Sequence, residues 1–369
     1  MPLRPRPEIE KLDICPHGGP DYAELSRFGY KPDEVIDFSV SANPYGPPPD
    51  VQAALGSSVI DRYPDSACNE LRNAIADSLA VDPGEIIIGN GSTELIRLIG
   101  MAYLGKGDLA LISEPTFGEY EIACQLSGAG IARYRVDETS DFRISKDHLI
   151  DLIQNKRPKA VFICNPNNPT GGYLTREEIQ AILSVCEDSL LVLDEAYINF
   201  VDSPWNSLGF IDTGNIVILR SMTKDYALAG LRLGYAVTSS DIVDTLKKAC
   251  PPWNVNAVAQ QAGIRAIGDK EYQAQCTELI RNSKRYLNDE LTGLGMSPVP
   301  SRTHFFLVRV GDATFFRREL LKRGIVVRDC TSFGLPQYIR IATRTQPECE
   351  RLINEIRGIV EENEFTISM

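Results

Sequence analysis

Histidine is scarce in this 369-residue chain: His17, His148 and His304 are its only three, and they lie far apart in sequence. The nine cysteines, at 15, 68, 124, 164, 186, 250, 276, 330 and 349, form no C-x-x-C pair. A structural zinc site, built from clustered thiolates and imidazoles, is therefore not expected, and no metal is assigned. An odd, scattered set of cysteines also argues against a disulfide framework; most read as small core hydrophobes. No apolar run approaches the ~18–20 residues of a membrane span. The opening MPLRPRPEIEKLDICPHGG is basic but lacks the apolar stretch of a secretory signal, so a cytoplasmic protein is expected. Positive charge is in deficit: 38 Lys and Arg against 50 Asp and Glu leave a net charge of −12. That balance excludes a general grip on nucleic acid or an anionic membrane, but not a local basic pocket.

What is present is an ordinary globular composition, 43% hydrophobic and 24% charged, in a chain long enough for two domains. Helical spacing over 68–80, 92–104, 117–126, 146–155 and 176–186 alternates with short apolar runs at 85–88, 109–112, 131–136, 160–164, 190–193 and 216–219. Branched aliphatic runs of this length suit strands buried on both faces of a mostly parallel sheet. Their alternation with helices predicts an α/β layer fold. After residue 255 the pattern changes to a long amphipathic helical stretch over 256–294, interrupted near Gly268. Strands at 303–310, 325–327 and 338–342, with helices at 314–322 and 348–362, complete a smaller α+β unit. The expected organisation is an arm and part of the small domain over 1–45, a large domain over 46–260 and a small domain over 261–369. The Pro-rich NPYGPPP at 43–49 cannot lie inside a helix and reads as a rigid crossing between arm and large domain.

Residues 164–235 carry most of the chemistry. Lys224 follows the run IVIL in a polar SMTK segment. An amine at the carboxyl end of a sheet strand lies where α/β proteins bind ligands, and it can join a carbonyl cofactor covalently. Asp194 closes LLVLD, with Tyr197 three residues on. Alone, such an acid is more often a turn cap, and such a tyrosine a packing residue. Asn165, Asn167 and Asn168 sit in a loop stiffened by Pro166 and Pro169. Ser221 and Arg232 flank Lys224, and a hydroxyl and a guanidinium beside an amine can hold a phosphate. Gly89-Asn90-Gly91-Ser92-Thr93 opens a helix after a strand, a geometry whose free N–H groups favour an anion.

Together these segments, GNGSTELI, EPTFGEYE, CNPNNPTG, DEAYINF, SMTKDYALAGLRLGY and YIRIATRT, resemble the fold type I pyridoxal 5'-phosphate (PLP) enzymes of the class I/II aminotransferase superfamily. The resemblance spans roughly residues 15–365. It implies a large domain with a mostly parallel sheet and a smaller α+β domain, with PLP as cofactor. By the same resemblance Lys224 bonds the cofactor, Asp194 pairs with the ring nitrogen, and Tyr197 and Asn168 reach the ring's 3-oxygen. Phe117 stacks on the ring. Gly91, Ser92, Thr93, Ser221, Thr223 and Arg232 form the phosphate cup. Tyr63 reaches the cofactor phosphate of a neighbouring subunit, which implies a homodimer with shared sites. Arg340 grips a substrate carboxylate and Arg328 a substrate phosphate, with Arg344 as a third cation.

The resemblance fixes the cofactor before the reaction. Threonine-phosphate decarboxylases are matched by HGG at 17–19, by IDFSVSANPYGPP at 36–48 and by PPWNVNAVAQ at 251–260, although Pro20 stands where those enzymes often carry Asn. His17 and Asn43 would then touch substrate. Histidinol-phosphate aminotransferases are matched by NPNNPTG, VRDC and SFGLPQYIRIA. The N-terminal segments favour the decarboxylase, with the aminotransferase as the alternative. Either way the substrate is a small phosphorylated amino acid or amino alcohol.

Overall fold

The computed structural model describes residues 3–10, 12–56 and 60–362. Its strands, in chain order, are β1 (Ile36–Asp37), β2 (Ile86–Gly89), β3 (Leu109–Glu114), β4 (Gly130–Arg135), β5 (Ala160–Cys164), β6 (Leu190–Asp194), β7 (Ile216–Ser221), β8 (Gly234–Thr238), β9 (Phe305–Arg309), β10 (Ile325–Val326), β11 (Arg328–Asp329) and β12 (Tyr338–Ala342). β2 to β8 form one sheet in the order β2-β8-β7-β6-β5-β3-β4. The neighbours among β3 to β7 pair in parallel, while β8 runs antiparallel to both β2 and β7.

The apolar runs are uninterrupted because this sheet is buried on both faces. Successive side chains point to opposite faces. Ile88, Val161, Ile163, Leu191, Leu193 and Ile218 therefore enter one core with helices Asn69–Leu79 and Arg176–Leu183. Ile112, Phe162, Val192, Val217 and Leu219 enter the other, with helices Ser92–Tyr103 and Glu119–Ser127. The expected α/β fold, with its mostly parallel sheet, is the fold observed.

The predicted helical stretch after residue 255 is two helices, Ala257–Gly268 and Lys270–Gly293. Ala259, Ala262, Ala266 and Ile267 of the first pack into the large core. The boundary expected at 260/261 thus falls inside a helix, and the change in packing comes after Gly268. Leu287 and Leu291 of the second helix instead join Phe38, Phe306, Phe316, Ile339, Ile341, Leu352 and Ile356 in a separate core. There β11, β12 and β9 form an antiparallel sheet, and β1 pairs in parallel with β10. The run predicted as one strand at 325–327 supplies only β10, and β11 of the antiparallel sheet follows directly after it. Pro49 begins the short helix Pro49–Leu55, a position where its missing N–H costs nothing. Among the described residues, no helix is long and apolar enough to cross a membrane.

Candidate active site

The carboxyl ends of β2, β3, β5, β6 and β7 meet one edge of the large sheet, because β8 enters antiparallel with Gly234 opposite Ser221 and Gly89. A cleft of about 1480 Å³ opens there. Ser92, Thr93, Phe117, Asn168, Asp194, Tyr197, Ser221, Thr223, Lys224 and Arg232 all line it, as do His17, Arg328 and Arg340. Chain topology has brought together residues up to some 300 positions apart in sequence.

Helix Ser92–Tyr103 points its N-terminus at the cleft, with Gly91 at φ +77° as its cap residue and no side chain capping it. The backbone is wrapped tightly here. A Cβ at Gly234 would meet Ser92 N at 2.5 Å, and one at Gly91 would meet Arg232 Nη2 at 2.7 Å. Ser221 Oγ and Thr223 Oγ1 are 2.8 Å apart. Free helical N–H groups, two hydroxyls and a guanidinium thus surround one concavity of anion-binding character.

Asp194 lies at the floor, 3% exposed. Its Oδ2 accepts a hydrogen bond from Tyr120 at 2.7 Å and its Oδ1 one from the Ala196 N–H at 3.0 Å. No cation forms an ion pair with it among the described residues. Burial raises its pKa, against the two hydrogen bonds and the nearby Lys224 charge, which lower it. A protonated ring nitrogen would supply the missing positive charge. Lys224 has the converse problem: burial, then the Arg340 and Arg232 charges, lower its pKa to about 8. Its Nζ lies 5.9 Å from the Tyr197 ring centroid. An amine that sheds its proton this easily is suited to bonding a carbonyl carbon. Both groups, and the anion cup, fit PLP.

The Asn-Pro loop divides its labour. Asn165 bonds both the N–H and the carbonyl of Leu174, and Asn167 bonds Thr116, Thr170 and the Pro115 carbonyl. Both brace the loop. Asn168 faces the cleft, where its Oδ1 accepts from Arg340 Nη1. Arg340 also donates from Nη2 to the Ser39 carbonyl at 2.6 Å, while its buried Nε has no partner. It stands opposite Arg328 in the β11–β12 register. Arg328 donates to the Pro16 and His17 carbonyls, both at 2.9 Å, and to Ser332 Oγ at 2.7 Å. Gly18 has no room for a side chain: a Cβ there would meet the Ser39 carbonyl oxygen at 2.7 Å. His17 Nε2 is 3.0 Å from Glu119 Oε1, and Arg97 holds the other carboxylate oxygen. Cys15, His17 and Glu119 also place a sulfur, a nitrogen and an oxygen within 4.8 Å of one another.

Three residues stand elsewhere. Asn43, expected to touch substrate, does not line the cleft; its Nδ2 donates to the Asp225 carbonyl at 3.2 Å. Arg344 also turns away, donating to the Asp37 carbonyl and pairing with Glu348 at 2.8 Å. Tyr63 is 76% exposed and stacks on Trp253, outside this chain's own cleft. Conversely, the sequence does not mark Tyr120 as a site residue: it lies in EPTFGEYE, but nothing local to a tyrosine inside a helix says that its hydroxyl meets an aspartate 74 residues away.

The model of the family "Aminotransferase class I and II" matches residues 33–356. A histidinol-phosphate aminotransferase from Moorella thermoacetica is 35% identical over 359 residues, covering 95% of this chain and 92% of that relative. The structure of histidinol-phosphate aminotransferase from Sinorhizobium meliloti in complex with PLP has the same fold, with a TM-score of 0.87, at 24% identity over 97% of this chain and 98% of that one. The structure of L-threonine-O-3-phosphate decarboxylase from Porphyromonas gingivalis gives a TM-score of 0.78 and 29% identity, covering 89% of this chain and 100% of the other. Parallel sheet, anion cup, buried acid and cleft amine define a fold type I PLP enzyme. The chain belongs to the class I and II aminotransferase family, whose members depend on PLP.

Proposed function

We propose that the protein is a histidinol-phosphate aminotransferase, moving an amino group between histidinol phosphate and 2-oxoglutarate or glutamate. The observation that carries this reading is the 35% identity to a curated enzyme of that name across 95% of the chain. It reverses the weight given above to the decarboxylase on the N-terminal segments. The site chemistry agrees. A transaminase must accept a phosphate monoester in one half-reaction and a dicarboxylate in the other. Arg328 and Arg340, side by side on β11 and β12, offer two guanidiniums that suit either anion.

In this reading Gly91, Ser92, Thr93, Ser221, Thr223 and Arg232 hold the cofactor phosphate. Asp194 keeps the ring nitrogen protonated, braced by Tyr120. Bound PLP supplies a ring that absorbs negative charge developing at the substrate carbon. Lys224 is the group at that carbon able to hold and return a proton near neutral pH, since its pKa is lowered to about 8. Phe117 packs on the ring, while Asn168 and Tyr197 address its 3-oxygen. Tyr63 is assigned to the partner's site in a homodimer; its exposure beside Trp253 and the exposed Ile60 supports that role.

The test is steady-state turnover with histidinol phosphate and 2-oxoglutarate, following glutamate. The expected result is sustained glutamate formation, with L-threonine O-3-phosphate releasing no carbon dioxide. One observation favours the second reading: the His17-Gly18-Gly19 step, a decarboxylase resemblance, packs at the cleft against Ser39 and Arg328. Catalytic carbon dioxide release from threonine phosphate, with no glutamate formed, would establish the decarboxylase instead.

A further inference from the structure

Directly after Lys224 comes a carboxylate that never reaches the cleft. Asp225 is 7% exposed and absent from the cleft wall. Its Oδ2 accepts from Asn199 Nδ2 and, at 3.0 Å, from Gln273 Nε2. Its Oδ1 is buried with no hydrogen-bond partner. Asn199 lies in the turn Ile198–Phe200, two residues after Tyr197, and Gln273 in the first turn of helix Lys270–Gly293. One oxygen thus ties the lysine loop to the tyrosine turn and to the helix that leads into the small domain.

A second set of bonds fixes the same loop from the other side. Asn43 donates its side-chain N–H to the Asp225 carbonyl at 3.2 Å, and its backbone N–H to the Lys224 carbonyl at 2.8 Å. The Asn43 oxygen in turn accepts from the Tyr45 N–H at 3.0 Å, and Tyr272 of the long helix donates to the Tyr45 carbonyl at 2.8 Å. Lys224 and Asp225 are therefore held by both their carbonyls and by one carboxylate oxygen. A flexible four-carbon side chain needs a fixed root if its amine is to meet a reacting carbon within a fraction of an ångström.

We propose that Asp225 is a positioning residue for Lys224, acting through the peptide between them by accepting the Asn199 and Gln273 hydrogen bonds. This rests on the family reading of Lys224 as the cofactor-bonding lysine, but not on which substrate is used. Its role is geometric rather than electrostatic: the acceptor oxygen matters more than the charge. Burial, the largest influence, already raises the Asp225 pKa to about 6, against the opposing pull of the Asn199 bond.

The experiment compares Asp225→Ala with Asp225→Asn in the PLP-loaded enzyme, with Lys224→Ala as control. Asparagine can present its amide oxygen where Oδ2 stands, and alanine cannot. Asp225→Ala is expected to lower kcat by about tenfold to a hundredfold at little change in KM, the scale of a small misplacement. It should also move the pH midpoint of the bound cofactor's visible absorbance. In the cofactor-free protein it should change the rate at which an amine-selective reagent labels Lys224. Asp225→Asn should restore all three readouts to near wild type. An unmoved midpoint, labelling rate and kcat in Asp225→Ala would overturn the proposal, as would Asp225→Asn behaving like Asp225→Ala. If Asp225→Ala fails to fold, Gln273→Ala removes one donor and is expected to shift the same midpoint in the same direction; no shift would again overturn it. Wild-type cofactor absorbance persisting in Lys224→Ala would sink the family reading of the lysine instead, whatever the Asp225 variants do.

Discussion

At the scale of single residues, the site is organised by two buried ionisable groups, Lys224 and Asp194. Burial first, and then the Arg340 and Arg232 charges, lower the Lys224 pKa from 10.5 to about 8. Between those two values the unfolded chain binds the proton that the folded protein has released. Folding is therefore penalised fully below about pH 8 and relieved as pH rises through this window. The same shift governs cofactor capture, because only the neutral amine bonds a carbonyl. Capture of PLP by the cofactor-free protein should accelerate with pH and level off above about 8. Arg340→Gln should raise that midpoint by removing the like charge that acts more strongly on Lys224; stopped-flow absorbance across pH 6.5–9.5 (a range of about three units around the shift) measures both. Tyr120→Phe removes the 2.7 Å bond to Asp194. A hydrogen bond to a charged group is worth ~1.5–3 kcal/mol, so PLP affinity by equilibrium dialysis should fall by about ten- to a hundredfold.

At the scale of elements, the anion cup is an assembly of β8 and the helix after β2. Gly234→Ala would drive a Cβ to 2.5 Å from Ser92 N. Overpacking of this kind costs ~1–3 kcal/mol. Its expected signature is weaker PLP binding in titration, with far-ultraviolet circular dichroism unchanged. β8 is also where legibility from sequence stops. GYAVT lacks a continuous branched aliphatic run and lies close to the Ala-Gly turn, so it does not announce a strand, and its antiparallel entry comes only from pairing with β2 and β7. Runs such as IVIL and LLVLD were readable because burial on both faces demands continuous branched aliphatics. The set that lines the cleft is legible from its spacing and its family resemblance. Asn43 was not, because the partner it found is a backbone carbonyl 182 residues away. Tyr120 and Asp225 share that difficulty: each acts from behind the site, where the local sequence looks like ordinary core.

At the scale of the whole molecule, the cleft gathers Arg232, Arg328 and Arg340 on a chain of net charge −12. Attraction for the proposed phosphorylated substrate is therefore local and short-ranged. KM should rise only modestly with salt, by less than about tenfold between 0.05 and 0.5 M, where the Debye length shrinks to a few ångströms. The proposed homodimer is tested by sedimentation, and Tyr63→Phe should weaken PLP binding only in the dimeric form.

The floor of the cleft has one more implication. Asp194 is sealed in with no ion pair among the described residues, and Lys224 carries its charge poorly. PLP answers both deficits, so it is a folding ligand as much as a reagent. Binding to the folded state alone stabilises by about RT ln(1 + [L]/Kd), roughly 2.7 kcal/mol at a hundredfold excess over Kd. The melting temperature should accordingly climb with added PLP and lose most of that rise in Asp194→Ala. In a cell, the amount of this protein that survives proteolysis would then track vitamin B6 supply, with cofactor starvation removing the enzyme itself as well as its activity.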